Sequence, residues 1–369
     1  MLKVILTSCI ILVTLSQKSI LILRHGARDP DVWTEYDKLY LWTDPINILT
    51  QKGVDQLIEV GRYQQRQSIF DSQGNCIYEL LEIQSSKTAR CTSSTVCFII
   101  GLCPKNYKQI LHRFFSEYYS QRALNQRKFE EILSSDFKDP LSLDYDIFDK
   151  SGDLMFLGHK TEQCPNLKPI NKNVQNSKTY KNKEKEFLLM DQLNGVYDIM
   201  VKAYPSQQIK KSSITLSDID DIYDDTFCNQ FQGFHFPNPS QSTSTYMEDV
   251  VKFLKYFGKN SEMFQHQAAL TEPFKWIISQ FYSQESLSIY VGTESNQFAM
   301  LSVLIDEQYL TPFASELEFI IKGNIVFIYF NKAQLKTKIC DNGYYCTIDQ
   351  TTQFMYQYIV NDVKQHCGI

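Results

Sequence analysis

Ile20-Leu21-Ile22-Leu23 is a short continuous apolar run that ends in charge at Arg24, a pattern that predicts a buried strand over residues 19–24. From Thr50 to Gln67 the period changes. Val54, Leu57, Ile58 and Val60 recur at near-helical spacing behind Thr50, a good N-cap, so this stretch predicts a helix. Leu80–Ile83 predicts a second strand, and Ser93–Leu102 a helix that stops at Gly101 and Pro104. Strand, helix, strand, helix in that order argues for an α/β fold: a mostly parallel central sheet with helices on both faces.

Residues 121–270 break the pattern, being rich in Lys, Asn, Gln, Ser and Asp with weak periodicity. Asn171–Lys185 is almost wholly polar and predicts an exposed loop, whereas Glu186–Tyr204 and Met247–Phe257 predict helices. The first pattern then returns. Ser286–Val291 predicts a strand and Asn296–Asp306 a helix, while Leu317–Ile321 and Ile325–Phe330 predict a hairpin across Lys322-Gly323-Asn324. The expected organisation is an α/β core of residues 18–120 and 271–369, interrupted at 121–270 by an inserted, mainly helical cap.

The N-terminus bears on the compartment. A basic start at Lys3, an apolar stretch from Val4 to Leu15 and polar Ser16-Gln17-Lys18 resemble a secretory signal over residues 1–17, too short to span a bilayer comfortably. With no later apolar stretch of spanning length, the expectation is a secreted or lysosomal/vacuolar protein without a membrane anchor. The chain has 369 residues, 43% of them hydrophobic and 21% charged, which is ordinary for a globular protein. Its formal net charge of -5 gives no basic excess for nucleic acid. Ten cysteines are too few for a disulfide-dense mini-scaffold, and no CxxC pair points to zinc.

The candidate chemistry lies where the first strand ends. Ligands of open α/β sheets bind beyond the carboxyl ends of strands, and Arg24-His25-Gly26-Ala27-Arg28 stands at such an end. Two guanidinium forks suit a dianionic phosphate. A neutral imidazole between them serves as a nucleophile once a hydrogen bond at its other nitrogen fixes the tautomer. Gly26 is expected to let the backbone turn sharply.

Arg24-His25-Gly26-Ala27-Arg28-Asp29-Pro30 resembles the RHGxRxP motif of the histidine acid phosphatases, in the second branch of the histidine phosphatase superfamily. Further segments resemble that family in the same order. They are Leu49–Gln56 with Gly61-Arg62, Thr88–Ser94 with Gly101–Pro104, Asp224–Cys228, Pro312–Ser315 with Leu317-Glu318 and Tyr329–Asn331, and Asn361–Cys367. The last two groups look like the prostatic and lysosomal acid phosphatases. The resemblance implies a phosphomonoesterase that needs no metal or cofactor and takes a small phosphomonoester, and it allows a homodimer. It implies His25 as the nucleophile that becomes phosphohistidine, with Arg24, Arg28 and Arg90 clamping the phosphate.

The family's closing His-Asp motif is altered. Thr293 stands at the histidine position and Glu294 at the aspartate position. Glu294 is expected to protonate the leaving oxygen, as a glutamate does in the His-Ala-Glu arrangement of inositol polyphosphate phosphatases. Thr293 offers phosphate a hydroxyl but no cation. Of the remaining histidines only His159 and His235, in the insertion, are candidates to replace it. Reduced turnover is one expectation, and a catalytically silent protein that binds phosphate is the alternative. The resemblance also implies disulfides Cys340–Cys346 and Cys164–Cys367, and leaves Cys228 without its usual partner, since Glu316 stands there. Cys91, Cys97 and Cys103 read as small buried hydrophobes, and the pairing of Cys76 is left open.

Overall fold

The computed structural model describes residues 17–42, 48–119, 153–236, 238–340 and 343–369. Residues 1–16 of the expected signal and 121–152 of the expected insertion lie outside these. The fold is α/β. Seven strands form one sheet: β1 Gln17–Arg24, β2 Leu81–Ser85, β3 Leu287–Gly292, β4 Glu316–Lys322, β5 Ile325–Phe330, β6 Ala333–Gln334 and β7 Tyr345–Thr347. Their order is β2-β3-β1-β4-β5-β6, with β7 also on β5. β2, β3 and β1 are mutually parallel, and the β4–β5 hairpin adds antiparallel strands beside β1.

β1 is apolar on both faces because both are covered. Ile20 and Ile22 join the cluster with helices Met263–Phe281 and Glu294–Leu304. Leu21 and Leu23 face the other way, into the cluster with helices Gln51–Tyr63, Ala89–Leu102 and Tyr107–Tyr119. At roughly 1.5–3 kcal/mol for each fully buried large aliphatic side chain, these four residues anchor the strand that carries the candidate site.

Asn171–Lys185 is helical, not a loop. Helices Leu167–Asn176 and Lys178–Leu188 meet at Ser177, whose hydroxyl caps the second by accepting from the Tyr180 amide. Each buries only a thin line of residues, Leu167 and Val174 in the first and Tyr180 and Phe187 in the second, too sparse to read as a stripe. Beyond them, Leu193–Ala203, Leu216–Gln232 and Gln241–Lys252 enclose an apolar cluster of their own, built on Val196, Ile219, Ile222 and Val250. The expected helix to Phe257 ends at Lys252, and Phe253–Gly258 continues as a π-helix.

Disulfides join Cys164 to Cys367 and Cys340 to Cys346. A third corrects the reading of Cys103, which is bonded to Cys76. Cys91, Cys97 and Cys228 are buried thiols. No helix among the described residues is long and apolar enough to cross a membrane.

Candidate active site

Parallel pairing brings three carboxyl ends to one edge of the sheet. Arg24 lies opposite Gly292, and Ser85 opposite Val291. β1 therefore delivers His25, β3 delivers Thr293 and Glu294, and β2 leads into the helix that starts at Ala89. That start is four residues earlier than the pattern predicts, so Arg90 belongs to the first turn of the helix. The His25 amide donates to the Gly292 carbonyl at 3.0 Å, and the His25 carbonyl accepts from Ala314 at 3.0 Å. The loop that carries His25 is thus pinned on both sides.

Gly26 is needed for close approach rather than for a turn, since its φ is not positive. A Cβ there would lie 2.6 Å from the Gly53 carbonyl oxygen, and one on Gly53 would lie 2.1 Å from the Ala27 oxygen. The loop therefore sits directly on the first turn of helix Gln51–Tyr63. Its amides find partners on two helices: Gly26 donates to Ser94 Oγ of helix Ala89–Leu102, and Ala27 to Gln56 Oε1 of helix Gln51–Tyr63.

The geometry fixes the tautomer of His25. Its Nδ1 lies 2.9 Å from the Gly26 carbonyl, which can only accept, so Nδ1 carries the proton. Arg90 Nε–H, which can only donate, lies 3.1 Å from Nε2, so Nε2 holds the lone pair. Burial pushes the His25 pKa well below the usual imidazole value, and the charges of Arg90, Arg24 and Arg28 push it the same way. The ring is a neutral base with its free electron pair on the arginine side.

The arginines already have carboxylate partners. Arg28 grips Asp224 with both nitrogens at 3.0 and 3.1 Å, and Asp31 lies 3.1 Å away. Arg24 Nη1 donates to the Thr311 carbonyl, and Nη2 lies 2.8 Å from Glu294 Oε2. The guanidinium of Arg24 also stacks over Phe313, 4.6 Å from the ring centroid.

Thr293 stands apart from this cluster. It caps helix Glu294–Leu304, and both its amide and its hydroxyl donate to Asn296 Oδ1, at 2.9 and 3.1 Å. The sequence reading missed the cation of this corner, which is Lys255. Its Nζ lies 3.3 Å from Glu294 Oε1 and 3.2 Å from Asp220 Oδ2. Burial would lower the Lys255 pKa, but Glu294 and Asp220 hold it above the usual lysine value. Burial likewise raises that of Glu294, yet Arg24 and Lys255 outweigh it and keep this carboxyl well below the usual range. His159 does not replace the missing histidine as a cation, because burial and the charges of Lys160, Lys259 and Lys255 hold its pKa at about 3. His235 is exposed. No cluster that could hold a metal ion occurs among the described residues.

No protein-family model and no curated protein matches the sequence. Solved structures do match it along nearly its whole length. The Hafnia alvei phytase in complex with tartrate superposes with a TM-score of 0.65 at 11% identity, over 95% of this chain and 98% of that one. The chain has the phytase fold. The phytase from Citrobacter braakii gives 0.62 at 15% identity over the same shares. The multiple inositol polyphosphate phosphatase of Bifidobacterium longum, complexed with inositol hexasulfate, gives 0.55 at 14%, over 90% of each chain.

Proposed function

We propose that the protein is a phosphomonoesterase working through a phosphohistidine on His25. The observation that carries this reading is the neutral imidazole whose Nε2 lone pair faces Arg90 and whose Nδ1 is tied to the Gly26 carbonyl. A phosphate dianion entering between His25 and Arg90 takes over the hydrogen bond from Nε. Arg24 and Arg28 then hold its remaining oxygens against the charge that develops in transfer. Nε2 attacks phosphorus, the P–O bond to the alcohol breaks, and protonated Glu294 gives its proton to the leaving oxygen. Water next attacks phosphorus and returns a proton to Glu294. The P–N bond breaks, and inorganic phosphate leaves.

Glu294 is ionised in the free site, so its proton must be restored when substrate binds. A dianion beside Arg24 and Lys255 cancels the charges that hold the Glu294 carboxylate ionised, which supplies the physical route. Lys255 takes the cationic role that Thr293 cannot fill. The chain's likeness to prostatic and lysosomal acid phosphatases supports a general monoesterase divided into a core of residues 18–120 and 271–369 and a cap of 121–270. Three disulfides and the signal-like residues 1–17 support passage through an oxidising secretory route.

The second reading, a silent phosphate binder, draws on Thr293 being occupied as a helix cap and Glu294 being ionised. Hydrolysis of p-nitrophenyl phosphate between pH 4 and 7 separates the two. Turnover that falls ~1000-fold or more in His25→Ala supports the first, as does an acid-labile phosphoenzyme. Phosphate binding without turnover in the wild type establishes the second.

A further inference from the structure

The cavity at this site has a composition that catalysis alone does not require. It encloses about 340 Å³ and reaches from Arg24, Lys255 and Glu294 along the helices Leu216–Gln232 and Gln241–Lys252. Its carboxylates are Asp31, Asp220, Asp221, Asp224, Glu248 and Glu294, against Arg24 and Lys255 as lining cations. Four of the six serve the arginines or Lys255. Asp221 and Glu248 form no salt bridge among the described residues.

Burial and the neighbouring Asp220, Asp218 and Asp224 raise the Asp221 pKa, so this corner gains from a positive charge. The same cavity has aromatic lining. Tyr223 and Phe227 lie nearly parallel, 6.0 Å apart, and both line the cavity with Phe298. A second, independent observation points to a ligand. Arg24 Nε, Thr226 Oγ1 and Thr311 Oγ1 are buried atoms with no hydrogen-bond partner, on residues only 3% exposed that all line this cavity. Buried polar atoms of this kind call for a partner, which a bound ligand or a water supplies.

We propose that the cavity receives the leaving alcohol of a phosphomonoester that carries an amine or quaternary ammonium group. The phosphate sits between His25 and Arg90 with Arg24 on its oxygens, and the cationic end extends past Lys255 along the cavity toward Tyr223, Phe227 and the carboxylates of Asp221 and Glu248. This rests on the phosphatase reading for the phosphate end only. A polyanion such as inositol hexakisphosphate would bring several further negative charges against the same carboxylates, so the chain shares the phytase fold without sharing a phytase preference.

The test compares kcat/KM for phosphocholine, glycerol 2-phosphate and inositol hexakisphosphate in the wild type and in Asp221→Asn/Glu248→Gln. Phosphocholine should exceed glycerol 2-phosphate about tenfold in the wild type, and the double substitution should remove that advantage while changing glycerol 2-phosphate less than about twofold. An unchanged ratio, or faster turnover of inositol hexakisphosphate than of phosphocholine, overturns the inference. Choline binding, followed by NMR in the same two proteins, is read separately. Choline binding that the double substitution abolishes, with no ester turned over, sinks the phosphatase reading and upholds the cavity. Turnover without choline binding does the reverse, and neither one overturns both.

Discussion

Replacing Lys255 by Met should move the pH profile and not merely depress it. The substitution keeps the length of the side chain and removes its charge 3.3 Å from Glu294. At that distance a unit pair is worth about 5 kcal/mol at an effective dielectric constant near 20, and about 1.3 kcal/mol in bulk water. Glu294 is roughly a quarter exposed, with 27% of its side chain accessible, so the interaction falls between these limits. At about 1.4 kcal/mol per pKa unit, the Glu294 carboxyl should rise by at least about one unit. Asp220, left without its lysine, pushes it further the same way. In the proposed mechanism Glu294 must be protonated in the substrate complex to release an alcohol, so the alkaline limb of kcat moves to higher pH. The assay is hydrolysis of glycerol 2-phosphate between pH 3 and 8. The same limb measured with p-nitrophenyl phosphate should move less, since p-nitrophenolate departs without a proton. Lys255→Arg should restore the wild-type limb. If Lys255→Met loses activity at every pH with the limb unmoved, Lys255 only holds the cap in place and the reasoning fails.

Other expectations concern stability. Asp225 is buried beside Asp37, and both carboxylates accept from Asn229 Nδ2 at 3.0 Å. Burial, with the neighbouring Asp37, pushes the Asp225 pKa up to about 10. The group is protonated when folded and ionised when unfolded at neutral pH, so its stabilisation is complete below the unfolded value and is lost as pH rises toward 10. Wild-type stability should fall between pH 5 and 8 by up to about 1.4 kcal/mol per pH unit from this group, and Asp225→Asn should flatten that slope in urea melts. Among the disulfides, the closed loop is 203 residues for Cys164–Cys367 and 6 for Cys340–Cys346. Chain entropy then gives about 5 against about 2 kcal/mol, so Cys164→Ser should lower the denaturation midpoint more than Cys340→Ser. Equal losses would mean that the unfolded chain does not set the effect.

The legible parts of this protein are those that neighbours in sequence determine. β1 and the charges that follow it are contiguous, so Arg24, His25 and Arg28 could be placed by their run alone. Arg90 could be placed because a strand and a helix bracket it. Lys255 could not. It projects from a π-helix, whose period no 3.6-residue pattern detects, and it meets Glu294 only through tertiary packing. The Thr293 side chain was legible as a departure but not as a cap, because its acceptor is an amide side chain three residues on. The Cys76–Cys103 pair was hidden because Cys103 has the apolar neighbours of an ordinary buried thiol. The helices at 167–188 were hidden because their buried line is one residue wide.

The strand order has a consequence for biosynthesis. β1 is made first, yet its two neighbours, β3 and β4, begin at Leu287 and Glu316, and β2 pairs only with β3. Among the described residues, no two strands of the sheet can meet until nearly four-fifths of the chain has been made. Until then Ile20-Leu21-Ile22-Leu23 is an unpaired apolar segment in an incomplete chain, the kind of edge that invites aggregation. The His25 loop forms at the end of that same strand, so the candidate site is assembled only when the last quarter of the polypeptide arrives.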